Sequence, residues 1–362
     1  MEQLCDQASR VIINQSSRER FVSTRVTRVP GNRLTSDLVK MWRNLQESNP
    51  ELVSPCFSPE FTQAVAAVRP DVEVAVVQGV NNEIRAFFPF QRHHRTRAIP
   101  VGGIVSDYQG IICRPDFECD PRDLLEKCGL VAWDFDRLIA SQEFFLPYHK
   151  LCEPSALIDL SRGYAAYVQE RRAAGSRQIS QCQNSIRRLE REAGPLRFIA
   201  HSPDRKLLSQ VLAWKSEQYL RTGWRDLFAP GWGRDLVERI HAIQSEKFAG
   251  MFSALYAGEH LIAGHLGMRS SSVWHYWFPA YDRRFSRFSP GLILLLHMAE
   301  HGPSIGIRAL DLGTGMSLYK ERLMSASVSV AEGSVERPSW LWLRREAKRA
   351  VKSLVGRVQR IQ

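Results

Sequence analysis

The sequence predicts an α/β protein built from two related halves. Three observations predict it: apolar strands alternate with amphipathic helices through the middle of the chain, each half holds a hairpin of similar make (AVVQGVNNEIRAFFPF and ALYAGEHLIAGHLGM), and Val273 to Leu323 runs strand, polar loop, helix, strand, short helix. A length of 362 residues gives room for two or three domains of ordinary size.

Taken in order, Asp37 to Gln46 sets Leu38, Met41, Trp42 and Leu45 on one helical face, and Pro50, Pro55 and Pro59 then interrupt the pattern. Val72 to Val77 and Ile84 to Phe90 form a hairpin around Asn81 and Asn82. Residues 94 to 115 are loop-rich, with SDYQG at Ser106 to Gly110 between two short β-like runs, and Pro121 to Ala140 reads as a helix. In the second half, Ile179, Cys182, Ile186 and Leu189 make the apolar stripe of a helix whose other face carries Arg177, Arg187, Arg188 and Arg191. Leu196 to Ala200 is a strand. The helix Asp204 to Arg221 buries Leu208, Val211, Leu212 and Tyr219, with Lys215 on the same ridge. Phe252 to Tyr256 and Leu261 to Met268 form the second hairpin, and Val273 to Tyr281 is an aromatic, buried strand. The expected division is a polar leader over 1–34, a first half over 35–155, a second half over 156–335 and a basic amphipathic tail over 336–362.

Lys and Arg number 49 against 38 Asp and Glu, a formal charge of +11 that hints at an anionic partner. Much of it is local: Glu336 to Gln362 holds eight basic and two acidic residues. Its Trp340 to Leu343 followed by arginines and lysines suits peripheral contact with an anionic membrane face. No run approaches the roughly 20 apolar residues of a spanning helix, and Met1 to Arg20 lacks the apolar stretch of a secretion signal, so a cytoplasmic protein is expected. The seven cysteines form no CxxC pair, which argues against a disulfide framework or a zinc knuckle; no metal is expected.

The chemistry concentrates after Tyr281. Asp282 to Phe288 holds Arg283, Arg284 and Arg287, and Ser289, Pro290 and Gly291 then open an apolar helix. Serine suits an N-cap and proline the first helical turn, and a helix start of this kind points free amides and a positive dipole end into the loop, a ready anion site. Arg308 to Leu312 is a strand, Gly313 and Gly315 open the chain, and SLYKERL is a short helix. LDLGTGMS also resembles the glycine-rich loop of class I methyltransferases, with Glu332 near the place of a ribose-binding acid, but only 51 residues follow Asp311, too few to complete that fold.

YDRRFSRFSPGLILLLHMAEHG followed by DLGTGMSLYKERL resembles the acetyltransferase domain of CelD-type cellulose-biosynthesis proteins, within the Gcn5-related N-acetyltransferase (GNAT) superfamily and related to the tandem FemAB peptidyltransferases. SPCFSPEFTQAVAAVRPDVEVAVVQ, VGGIVSDYQGII and SQCQNSIRRLEREAGPLRF share the style, so the resemblance spans roughly residues 35 to 335. It implies a tandem GNAT-like fold with two mixed β-sheets flanked by helices, acetyl-CoA or another acyl-CoA as co-substrate, and a saccharide or related acceptor in cellulose or exopolysaccharide assembly. Here Arg287 and Ser289-Pro290-Gly291 stand where the superfamily's acyl-CoA loop is richer in glycine.

Under that resemblance Tyr319 is the candidate acid for the coenzyme A thiolate, and Asp282 and His275, with His265, are candidate proton acceptors. Arg283, Arg287, Phe288, Ser289, Pro290, Gly291 and Lys320 are candidate contacts to the cofactor. Asp107, Tyr108, Lys215, Tyr219 and Asp311 are candidate acceptor-side residues. Two other classes stay open: aminoacyl transfer from charged tRNA, with the arginines around residue 180 on phosphate, and a scaffold without catalysis. Outside the tRNA alternative, nucleic acid is not an expected partner.

Overall fold

A computed structural model describes residues 25–338. The polar leader up to residue 24 and the Trp- and Arg-rich tail from residue 339 lie outside the described residues. Elements run in the order β1 (Arg25–Pro30), α1 (Ser36–Glu47), α2 (Pro59–Val68), β2 (Val72–Gln78), β3 (Ile84–His94), β4 (Arg97–Ile99), β5 (Ile112–Cys113), α3 (Pro121–Lys127), β6 (Ala132–Ile139) and β7 (His149–Asp159). The second half continues with α4 (Tyr164–Ala173), α5 (Gln178–Ala193), β8 (Leu196–Ile199), α6 (Arg205–Arg221), α7 (Trp232–Ala242), β9 (Ala249–Ala257), β10 (His260–Arg269), β11 (Val273–Tyr281), α8 (Pro290–His301), β12 (Ala309–Gly313), α9 (Leu318–Leu323) and β13 (Ala326–Glu336).

The strands form one 13-stranded sheet, ordered β1-β2-β3-β4-β6-β13-β7-β12-β11-β10-β9-β8 with β5 on β3, where the sequence suggested two sheets. The cause is an exchange at the centre. The late strand β13 inserts between β6 and β7, pairing antiparallel with both, and β7 also pairs with β12. The expected boundary at 155/156 falls within β7. In each half one parallel pair is very short: Arg97 and Ala98 of β4 against Ala132 and Trp133 of β6, and Val273, Trp274 and His275 of β11 against Ala309, Leu310 and Asp311 of β12.

Alternation along the strands divides the apolar residues between the two sheet faces. Val74 and Val76 join a core shared by both halves, where Trp42 and Phe61 of α1 and α2 meet the same cluster as Leu208 and Val211 of α6 and Phe252 of β9. Ala75 and Val77 face a separate core with Phe88, Leu125 and Trp133, and the second half has its own around Trp274, Leu294 and Leu310. No described helix is long and apolar enough to cross a membrane.

One expected helix is corrected. Only Pro121–Lys127 is helical, and Ala132–Ile139 is a strand in which Trp133 and Phe135 alternate with Asp134 and Asp136, a period of two that overrides the apparent helical spacing. Strands β1, β7 and β13 and helices α2, α4 and α7 were not anticipated.

Candidate active site

The site forms where β11 and β12 part. Their pairing ends at His275↔Asp311, yet β11 continues to Tyr281 along β10. Beyond His275, one edge of β11 therefore has no strand partner among the described residues; along this stretch Trp277 N donates to His265 Nε2 and Pro279 O accepts from Lys215 Nζ.

At the apex stands a buried ionic cluster drawn from both halves. His275 is 1% exposed; its Nε2 lies 2.8 Å from Asp107 Oδ2 and its Nδ1 3.1 Å from Asp311 Oδ2. These approaches lie off the N–H axes, so they are ion-pair contacts rather than aligned hydrogen bonds. Asp311 Oδ1 accepts from Gly313 N at 2.8 Å and from Tyr108 Oη at 3.3 Å, and the Tyr108 hydroxyl also lies 2.8 Å from Ser155 Oγ. Asp107 Oδ1 is 3.4 Å from Arg137 Nε, which also donates to Thr314 Oγ1 at 3.2 Å. Lys320 donates to Gly313 O and Thr314 O at 3.2 and 2.5 Å, pinning the glycine loop beneath the cluster.

Burial opposes the charge on His275, but Asp311 and Asp107 outweigh it and hold the imidazolium well above the ordinary histidine range. Burial likewise opposes ionisation of Asp107, and His275 with Arg137 outweighs it, keeping the carboxylate ionised to lower pH than usual. The Asp107 side chain is 20% exposed, whereas those of His275 and Asp311 are 1% exposed. A group entering the opening reaches Asp107 first.

Asp107 is placed by a loop that fills the corresponding gap of the first half. Gln109 occupies the edge of β6 that β4 has left: its Nε2 donates to Asp136 Oδ1 at 2.6 Å, its Oε1 accepts from Asp136 N and Arg137 N at 3.1 and 3.0 Å, and its backbone pairs with Arg137 O and Ile139 N. Seated there, Ser106–Gly110 projects Asp107 and Tyr108 into the second half.

The start of α8 lies on the same side of the opening as Tyr276. Tyr276 Oη donates to Gly291 O at 2.9 Å, and a Cβ on Gly291 would meet only Tyr281 and Tyr276 at 3.7 and 3.9 Å. Burial, with Tyr319 close by, keeps the Tyr276 phenol protonated, and burial does the same for Tyr319. His297 and His301 near the far end of α8 flank Phe198.

Several sequence expectations are revised. Ser289 makes no side-chain cap and sits in the left-handed region (φ 56°), its carbonyl accepts from Leu292 N and Ile293 N, and Pro290 sets the helix start. Phe288 is buried in the second-half core with Arg287 and Arg188 over its ring at 4.7 and 5.8 Å, an anchor for the loop rather than a cofactor contact. Asp282 caps the turn at Arg284 N and pairs with Arg284 at 2.6 Å; that bond depresses its pKa and leaves it tied up, away from the cluster. Arg283 pairs with Glu217 at 3.4 Å and Arg287 with Glu192. Asp311 is wholly buried and reaches a ligand only through His275. His265 accepts from Trp277 N at 3.1 Å, and burial drives its pKa to about 3, so it is neutral. Arg137, Thr314 and Ser155 were missed; the alternation around Arg137, read as a strand, is the signal that finds it.

Residues 176–321 match the acetyltransferase (GNAT) domain family. Among solved structures the chain is similar to FemX (TM-score 0.57, 10% identity, covering 82% of this chain and 94% of that one). It is also similar to L-PGS from Bacillus licheniformis (TM-score 0.52, 11% identity, 87% and 96%) and to a conserved protein of unknown function from Bacteroides thetaiotaomicron (TM-score 0.52, 10% identity, 81% and 97%). Among curated proteins none matches. The second half is thus similar to the GNAT domain family over residues 176–321, and the fold is similar to that of FemX. Each half contains one short parallel strand pair, and the similarity to FemX covers 82% of the whole chain.

Proposed function

We propose that this protein transfers an acyl group from an acyl-CoA to an amine or hydroxyl acceptor. The second half holds the thioester, and the first half supplies the acceptor-side carboxylate. The observation that carries the reading is the parting of β11 and β12 after His275↔Asp311, with Asp107 of the other half standing at that point.

In this reading the coenzyme's phosphates lie at the start of α8, beside the Gly291 amide and the positive dipole end; Pro290 has no N–H and Ser289 N is already bonded to Ser286 O. The acyl carbonyl lies along the open edge of β11. The acceptor's N–H or O–H donates to Asp107, which takes its proton as the nitrogen or oxygen attacks the carbonyl carbon; the C–S bond breaks, and Tyr319 donates its hydroxyl proton toward the departing thiolate. His275 and Asp311 hold the Asp107 carboxylate in place, and Lys320 fixes the loop behind it. The resemblance to CelD-type proteins supports acetyl-CoA as the donor and a saccharide of cellulose or exopolysaccharide assembly as the acceptor. The pairing of Arg287 with Glu192 and the stacking of Arg188 on Phe288 leave those guanidiniums engaged, which favours acyl-CoA over charged tRNA.

The test is release of coenzyme A thiol from acetyl-CoA across a panel of amino and neutral sugars. Turnover with at least one acceptor, reduced about tenfold or more in Tyr319→Phe with acetyl-CoA binding retained, is the expected result. Turnover with aminoacyl-tRNA and none with acyl-CoA would overturn the donor assignment; full activity of Tyr319→Phe would remove the acid.

A further inference from the structure

We infer that Lys215 is the binding point for a compact anionic group, a carboxylate or phosphate, carried by the acceptor and seated at the open edge of β11. The inference rests on the acyl-transfer reading and adds to it the chemical class of acceptor.

Lys215 lies on α6 next to Leu208, Val211 and Leu212 in a buried helix face and is only 9% exposed. Its Nζ donates to Pro279 O at 3.2 Å and to Gln218 Oε1 at 3.3 Å, and it stands 5.3 Å from the Tyr219 ring centroid. All three neighbours are neutral. Of the three ammonium hydrogens two are used, and no carboxylate of the described residues lies within ion-pair range of this nitrogen. The other interior cations of the site differ: Arg137 contacts Asp107 and Asp136, and Lys320 feels both Asp107 and Asp311. A buried ammonium without a counter-charge is costly, and burial alone drives the Lys215 pKa down to about 8. An arriving anion supplies the missing partner.

The position of Pro279 puts this ammonium in the opening. Asp282 N bonds to Ile262 O, and β11 pairs with β10 in regular register at Tyr281↔Ala263 and Ala280↔Gly264. Backbone direction alternates along a strand, so Pro279 and Tyr281 turn their polar groups away from β10, toward the side β12 has left. Proline has no N–H to offer there, and its carbonyl is what holds Lys215. Tyr219, beside Lys215, also feels the charge of Asp107. An acceptor with its nucleophile on Asp107 therefore has a cation within reach for an acidic substituent.

Competitive labelling of lysines with trace acetic anhydride near pH 8, read peptide by peptide by mass spectrometry on the full chain, tests this. The probes, at millimolar concentration, are D-glucuronate, inorganic phosphate, D-glucose and coenzyme A. Labelling of Lys215 several-fold slower with glucuronate or phosphate, and unchanged with glucose, is the expected result; which anion protects distinguishes a sugar acid from a phosphorylated acceptor. Equal rates in all arms, equal protection by glucose, or protection by coenzyme A alone overturns the proposal. Calorimetry of the wild type with acetyl-CoA, run alongside, reports separately on the acyl-transfer reading.

Discussion

The two halves contain the same device and use it in opposite ways. Each has a parallel pair of two or three residues that then splays, β4 with β6 and β11 with β12. In the first half β4 leads into a single tight turn, Gly103–Val105, and the gap is filled by Gln109, whose side chain and backbone satisfy the freed edge of β6. In the second half β11 leads into the twelve-residue helix α8, and the gap stays open. The closed gap thus becomes a support for Asp107, and the open one becomes the site. In the proposed reading the repeated device does not mean a repeated activity: the second half binds, and the first positions.

Mutations at the two gaps should separate these roles. The largest effect is expected at the junction. Asp311→Leu leaves the His275 imidazolium with one buried partner removed and should cost about 3–5 kcal/mol in chemical denaturation; a change below about 1 kcal/mol would show that the cluster does not hold the halves together. Gln109→Ala unplugs the first half and should cost about 2–3 kcal/mol, with a fall in acyl transfer but not in acetyl-CoA affinity, because Asp107 loses its support while α8 is untouched. Lys215→Met should act in the other direction. The ammonium is disfavoured in the fold, so the variant should be more stable by about 1–3 kcal/mol at pH 7, the gain fading as pH rises through 8 toward the free-lysine range.

The smallest effect is a pH dependence. His275 has a folded pKa above its unfolded value, so its stabilisation is complete below about pH 6.5 and declines as pH rises toward the folded value. Asp107 is shifted downward, so its share is present above about pH 4 and lost on acidification. The stability gap between wild type and His275→Gln should therefore be widest between those limits and narrow on the alkaline side. A gap that widens with alkaline pH would contradict the charge assignment.

Local pattern made the second half legible. The run from Val273 to Leu323, the helix opening at Pro290 and the short helix bearing Tyr319 all lie where their spacing puts them, because each element encloses its own apolar residues. His275, Asp311, Asp107 and Tyr108 were each visible as candidates, but their meeting was not. It depends on Asp107 crossing from one half to the other and on β13 inserting beside β7, and pairings between residues 150 to 200 positions apart leave no periodic trace. The misread segment Pro121 to Ala140 shows the same limit. Its Asp134 and Asp136, two positions apart, lie on one face of an interior strand, with Arg137 turned toward Asp107. Phe288, taken for a ligand contact because it borders a helix start, is held inside by the core and by two guanidiniums.

The claim that only the second half is a coenzyme site is tested most directly by calorimetric titration with acetyl-CoA, comparing wild type with Gly291→Glu and Ile104→Glu. Gly291 has room for a side chain, and a carboxylate at the start of α8 satisfies the helix dipole, so that variant should fold while occupying the phosphate seat. Ile104 is the exposed residue in the turn that follows β4, the corresponding place in the first half. One acetyl-CoA per chain, lost in Gly291→Glu and retained in Ile104→Glu, is the predicted result. Two per chain, or binding that survives Gly291→Glu, would contradict it.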